Sequence, residues 1–282
     1  MQRALADSSP TAFVVARFGL ASLAFLAFSR SARKGAKLFF SAKSAEERQF
    51  RSDILVLGAA LGGGYIFQTV GLVTTTTSKS AFLTATAVIW TPVFSHFLGR
   101  EKITPQLIFA VLVTIIGVLL MTHPFDSNGI VIGDFFTILC AMAFGVYIIW
   151  IDRALHHALP LAESEHAATM MVTSTQILAA FLIVLVFLPF LETPHINITV
   201  SCGSALLYTA LIGTSATAYL QARYQNHLSP TAAAVIYMLE PVVALIVAEL
   251  FLTEQIGFIE TLGALLIIIG VIVAQFKKKD EG

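Results

Sequence analysis

Long apolar runs separated by short polar breaks fill most of this chain. A helix that crosses a bilayer needs about 20 mostly apolar residues. By that measure nine spans are predicted, at residues 11–29, 53–73, 80–98, 105–121, 130–151, 167–190, 200–221, 231–252 and 257–275. The first reads as a span rather than a secretion signal, because Arg17 lies in its middle and its basic cluster follows it instead of preceding it.

The stretch 229–274 organises the rest. It holds two apolar runs, and the first carries Glu240 followed by Pro241 near its middle. A proline inside a helix removes a backbone hydrogen bond and bends it. An ionised carboxylate in hydrocarbon is costly, so it faces a wet cavity or a partner. An earlier stretch repeats the pattern. Thr91–Pro92–Val93, then Glu101, then an IIGV run at 115–118 match Glu240–Pro241–Val242, then Glu254, then IIGV at 268–271. Glutamate and the IIGV glycine are 16 residues apart in both copies, whereas proline and glutamate are 9 apart in the first and 13 in the second. Four residues is about one helical turn, so the first kinked helix is expected to be one turn shorter. The kinked helices are the third and eighth spans. Two five-span halves would need ten spans, and an odd repeat unit inverts the second copy across the membrane. The expected fold class is therefore an all-α polytopic membrane protein, an inverted repeat of five-helix halves covering 1–122 and 123–282. Nine spans are visible, and the first helix is expected to be missing before residue 1. The alternative is a nine-span protein as it stands.

Composition agrees. Of the 282 residues 57% are hydrophobic and 12% charged, against about 25% charged in soluble domains, and mean hydropathy is +0.83. The formal net charge of zero points to no nucleic-acid partner. Cys140 and Cys202 fall inside apolar runs, where packing suits them better than a disulfide or a metal. Arg30, Arg33, Lys34, Lys37, Lys43, Arg48 and Arg51 crowd the first long loop. Counting alternate loops from there adds Arg100, Lys102, Arg153, Arg223 and Lys277, Lys278 and Lys279; Arg3 and Lys79 fall on the other side. That bias predicts an outer N-terminus and a cytoplasmic C-terminus.

Polar residues within the spans are the candidate pathway. Glu240 reads either as a proton- or substrate-linked acid or as a buried acid that holds the kink. Its counterpart is expected at Thr91, so the acid is not duplicated. Pro92 and Pro241 shape helices, and their freed carbonyls could line a cavity. Arg17 must snorkel outward or pair inside, with a structural partner or with substrate. Tyr65 and Gln68 lie one turn apart beside Gly62, Gly63 and Gly64, suited to substrate contact or to interhelical hydrogen bonds. Trp90 and Tyr237 sit just before the two prolines, at one depth. His96, Tyr147, Gln176, Tyr219 and Gln221 are weaker candidates. Asp134 reads as a helix cap, and Glu249, Glu254 and Glu260 as solvated outer acids. His156, His157 and His166 show no metal spacing. No phosphate-binding GxxxxGK[ST] loop and no GxSxG elbow occurs, so no catalytic residue, cofactor or metal site is predicted.

Three elements, 9–23 (SPTAFVVARFGLASL), 67–93 (FQTVGLVTTTTSKSAFLTATAVIWTPV) and 228–250 (LSPTAAAVIYMLEPVVALIVAEL), resemble the EamA-type permeases of the drug/metabolite transporter superfamily. The glycines of the last span, Gly263 and Gly270, fit as well. The resemblance covers essentially the whole chain. It implies ten helices in two inverted halves and both ends in the cytoplasm. It also implies alternating-access transport of small metabolites or drugs, often ion-coupled. The expected partners are a small-molecule substrate, protons as a candidate coupling ion, the lipid bilayer of a bacterial inner membrane, and a second copy as a candidate homodimer. The chain departs from the family pattern in the absent helix and the short Pro92–Glu101 segment. Two rivals remain: an inactive truncated carrier or accessory protein, and a membrane enzyme, which would need clustered polar residues at one interface.

Overall fold

The computed structural model describes residues 8–123, 129–252 and 257–275, and every named element among them is helical. In order these are α1 (Pro10–Phe28), α2 (Arg30–Ser41), α3 (Ala45–Gly71), α4 (Thr77–Ala85), α5 (Ala87–Phe97), α6 (Pro105–Thr122), α7 (Ile132–Ala158), α8 (Glu165–Leu191), α9 (Val200–Ala210), α10 (Thr217–Tyr224), α11 (Pro230–Tyr237), α12 (Leu239–Leu252) and α13 (Phe258–Gln275). Arg3, Glu254 and Lys277–Lys279 lie outside the described residues, as does the side chain of Glu249.

Seven segments are long and apolar enough to cross a membrane: Pro10–Phe28, Ala45–Gly71, Pro105–Thr122, Ile132–Leu161, Glu165–Leu191, Pro230–Val247 and Phe258–Gln275. They correspond to seven of the nine predicted spans. The other two are helical but interrupted. One breaks at Thr86 into α4 and α5, because the Thr86 N–H and hydroxyl both turn back to the Leu83 carbonyl, at 3.1 and 2.5 Å. The other holds a π-helical stretch, Leu211–Ala216, between α9 and α10. There the hydroxyls of Thr214, Ser215 and Thr217 each bond a carbonyl five residues back, competing with the backbone ladder. Pro230–Val247 also turns at Met238, whose N–H goes to Val235 O at 3.1 Å. The breaks precede the prolines rather than falling on them.

The polar stretch before the second predicted span is helical too. Ser44 Oγ accepts the Glu47 N–H while Glu47 accepts the Ser44 N–H, a reciprocal capping box that starts α3 eight residues earlier than the apolar run. Helix starts recur at fixed spacings along the chain. Ser9 and Ser164 are N-caps 155 residues apart. Ser44 and Thr199 cap helices at the same spacing. Thr76 and Ser229 are N-caps 153 apart, and α6 and α13, each 18 residues long, begin 153 apart. At this register the stretches from Thr76 to the start of α6 and from Ser229 to the start of α13 are equal in length, without the full-turn difference expected from the prolines. Shifted by 153 residues, Glu240 falls on Ala87 rather than Thr91, and Pro92 falls on Leu245 rather than Pro241.

The residues divide into two compact units, Met1–Val70 with Ile149–His227, and Gly71–Ile148 with Leu228–Gly282. In the first, α8 is buried along most of its length, and small residues let its neighbours approach. Gly58 and Gly62 of α3 lie against Ala179 and Ala180, and Gly35 of α2 against Met171. The start of α1 is tied to the segment after α8: Ser9 N–H donates to His195 O at 3.0 Å, and Ala12 N–H to Glu192 Oε1 at 2.7 Å. Phe18, Ala21, Ile177, Val184 and Ala210 form the apolar core.

The second unit is built on α6 against α13. Gly117 meets Gly263 and Ile267, and Gly270 meets Ala110 and Thr114. Gln106 Nε2 donates to Val273 O at 2.6 Å. Contacts that rise along one helix fall along the other, so the pair is antiparallel. Shifted by 153 residues, each glycine's neighbours become those of the other, which is a two-fold arrangement. Beside this pair, Val88 of α5 packs with Ala233, Ala234 and Val235 of α11.

Candidate functional site

The first unit brings together Arg17 and Tyr65. Arg17 does not snorkel: only 7% of it is exposed. Its guanidinium lies 4.6 Å from the Tyr65 ring centroid and 5.2 Å from that of Phe18, and these two rings meet edge to face at 5.2 Å. Cation–π contact is worth more once the cation is desolvated, but it supplies no counter-charge. Among the described residues no carboxylate pairs with Arg17, and its Nε is buried without a hydrogen-bond partner. A buried arginine in a span costs about 2.5–3.5 kcal/mol even on the mildest scale. Gln68, one turn beyond Tyr65, is half-buried and has no hydrogen-bond partner among the described residues.

The second unit brings together the helices of Trp90 and Tyr237. Trp90 stacks on Phe94, ring centroids 5.8 Å apart, and Gly145 lets α7 approach it. Tyr237 packs on the Val88–Ala234 cluster at the end of α11. Pro92 is buried and Pro241 half-buried. Glu240 opens α12 and is exposed, with no hydrogen-bond or ion-pair partner among the described residues. It is not a buried acid holding a kink. The weaker candidates scatter: Gln176 and Tyr147 are buried, and Tyr219 bonds His166 at 2.8 Å.

Three carboxylates that the sequence presents as a span edge, a helix cap and a marker of the repeat are tied into networks. Asp53, 1% exposed, takes the Trp150 Nε1–H at 3.1 Å and pairs with His157 Nδ1 at 2.5 Å. Arg153 Nε stands 2.8 Å from it, off the hydrogen-bond direction, as an ion pair. Trp150, Arg153 and His157 share one face of α7 at helical spacing, a polar stripe visible in the sequence. Asp134 accepts from Thr75 Oγ1 at 2.6 Å and the Val131 N–H at 3.0 Å, and pairs with Lys79 at 3.0 Å. It caps α7 as expected, but it also fastens the segment before α4. Glu101 accepts the Thr231 N–H and hydroxyl at 3.2 and 2.6 Å, capping α11 from a distant loop. His123 pairs with Glu260 at 3.1 Å. Among the described residues no three His, Cys, Asp or Glu side chains stand close enough to hold a metal ion.

The model of the EamA-like transporter family matches residues 1–123 and 131–275. An uncharacterized transporter of Archaeoglobus fulgidus is 30% identical over 275 residues, covering 97% of this chain and 79% of that one. A solved crystal structure superposes with a TM-score of 0.72 at 16% identity, over 97% of this chain and 91% of the other, a likeness of fold alone.

Proposed function

The chain belongs to the EamA-like transporter family, and from that premise we propose that it carries a small organic molecule across a membrane by alternating access. The family and the transporter-named relative point to a multi-pass membrane protein engaged in transport rather than to an enzyme. The finer reading is ours. The halves 1–122 and 123–282 are an inverted repeat of nine visible spans, three of them interrupted. The recurring caps, the two-fold α6–α13 packing and a family match in two stretches support it. Antiparallel equivalent helices are what a two-fold axis in the membrane plane requires. The loop charges support a cytoplasmic face at α2, and a bacterial plasma membrane is the proposed location.

The observation that carries the site is Arg17: a buried cation in a span, stacked on Tyr65, with no acid partner among the described residues. A substrate bearing a carboxylate or another anionic group would supply the missing charge, and binding would stabilise one conformation over the other. Glu240 is the proposed proton site, because an exposed carboxylate at the start of α12 is stable only where it meets water. Counterflow in proteoliposomes loaded with a pool of small metabolites tests both assignments. Wild-type exchange lost in Arg17→Gln supports the anion site, and Glu240→Gln should abolish gradient-driven uptake while sparing exchange. Unchanged exchange in Arg17→Gln refutes the first, and unchanged driven uptake in Glu240→Gln refutes the second.

A further inference from the structure

We propose that α2 and the cavity beside it form a docking site for one anionic phospholipid, its headgroup on the basic face of α2 and an acyl chain in the cavity. The α2 helix is fixed along one face and at its start. Ala32, Gly35 and Phe39 are buried, with Gly35 against the Met171 backbone. Ser29 Oγ accepts the Ala32 N–H at 3.2 Å, and Arg33 Nη1 donates to Leu26 O and Ala27 O at 2.8 and 3.0 Å, locking the corner between α1 and α2. With that face buried, Arg30, Lys34 and Lys37 fall at i, i+4 and i+7 on the opposite face, all exposed. Among the described residues none of these three has a carboxylate partner.

Two aromatic rings are exposed beside the cations, Phe28 at 91% and Phe40 at 63%. Water would suit the cations and not the rings, and hydrocarbon the reverse. The headgroup layer of a membrane suits both. A nucleic acid or an acidic protein would leave the rings in water. Next to Arg30 lies a cavity of about 240 Å³, lined by Ala24, Phe25, Phe28, Met170, Leu211 and Ser215. It is smaller than the roughly 300–1,000 Å³ typical of drug-sized ligands, and its walls are almost wholly apolar. That favours a length of acyl chain over a polar solute. Phe28 is both a wall of the cavity and a neighbour of Arg30, so one lipid reaches both features.

The test is binding of dioleoyl-phosphatidylglycerol against dioleoyl-phosphatidylcholine to the purified full chain in detergent micelles, read by native mass spectrometry. At about a fivefold gain per cation near the surface, the triple change Arg30→Gln, Lys34→Gln, Lys37→Gln should weaken phosphatidylglycerol binding about a hundredfold. Lys34→Glu alone should weaken it by at least about fivefold, which covers the case of a misfolded triple variant. Lys43→Gln with Arg48→Gln, off α2, should leave it unchanged. Ala24→Leu should weaken the dioleoyl lipid and spare the dihexanoyl one. Equal binding of the two dioleoyl lipids by the wild type, or undiminished preference in Lys34→Glu, overturns the proposal. Displacement of the lipid by inorganic phosphate at equal concentration also overturns it, in favour of a free-phosphate site.

Discussion

Replacing Gly117 by alanine would place a methyl carbon 2.6 Å from the Gly263 carbonyl oxygen and 2.9 Å from the Ile267 nitrogen. Both are backbone atoms of α13, so no side chain can swing aside. Restoring ordinary contact at 3.4 Å means moving α6 and α13 apart by about 0.8 Å at the crossing. A gap of that size forfeits roughly a quarter to a half of each dispersion contact along the seam. Overpacking of this kind costs about 1–3 kcal/mol, and the gain from removing a helical glycine returns roughly 0.5–1 kcal/mol. Net destabilisation should be about 0–2.5 kcal/mol, with Tm falling by about 2–4 °C per kcal/mol in detergent micelles. Gly63→Ala is the internal control: nothing lies within 4 Å of a Cβ there, so only the helix gain applies and Tm should hold or rise. Gly263→Ala should cost as much as Gly117→Ala, because the two carbonyls close the same gap reciprocally at 2.6 Å. The double variant should cost less than the sum, since one separation relieves both clashes. A Gly117→Ala variant that melts at or above Gly63→Ala would refute the clash.

Other outcomes follow from particular bonds. Asp53→Asn keeps an acceptor for Trp150 but leaves Arg153 and His157 without their carboxylate. With Arg153 about a third exposed, the loss should be held to about 1–3 kcal/mol, and a melting curve unchanged from wild type would show that the ion pair does not hold α3 to α7. Glu101→Gln removes the charged cap of α11 and should cost about 1 kcal/mol in thermal unfolding. Arg17→Lys keeps the charge and loses the guanidinium over the Tyr65 ring. Counterflow should drop roughly tenfold with little change in Tm, and a matching fall in Tm would mark Arg17 as structural.

The apolar runs made seven membrane-length segments legible, because length and hydropathy suffice to define them. The interruptions were not legible. Prolines were the visible signal, yet the turns come where threonine hydroxyls and i→i−3 bonds take over, at Thr86 and Met238. The capping box at Ser44 and Glu47 was written in the sequence, but hydropathy hid it by placing the start of the helix at the apolar run. Of the site, the Arg17–Tyr65 pair joins two candidates singled out for other reasons, and only packing could reveal the stacking. Asp53 was missed because an acid at a span boundary reads as an edge. The stripe of Trp150, Arg153 and His157 was the available clue, about a hundred residues downstream.

That distance bears on how the chain is made. At roughly 5–20 residues per second, the ribosome reaches Arg153 and His157 about 5–20 s after Asp53 has emerged. For that interval α3 exists without the partners that neutralise its carboxylate. Until then the start of α3 must stay at the membrane surface, where water solvates the carboxylate. Completion of α7 is then the moment at which the early helices can settle, which makes a point midway through synthesis the checkpoint for a segment translated about a hundred residues before.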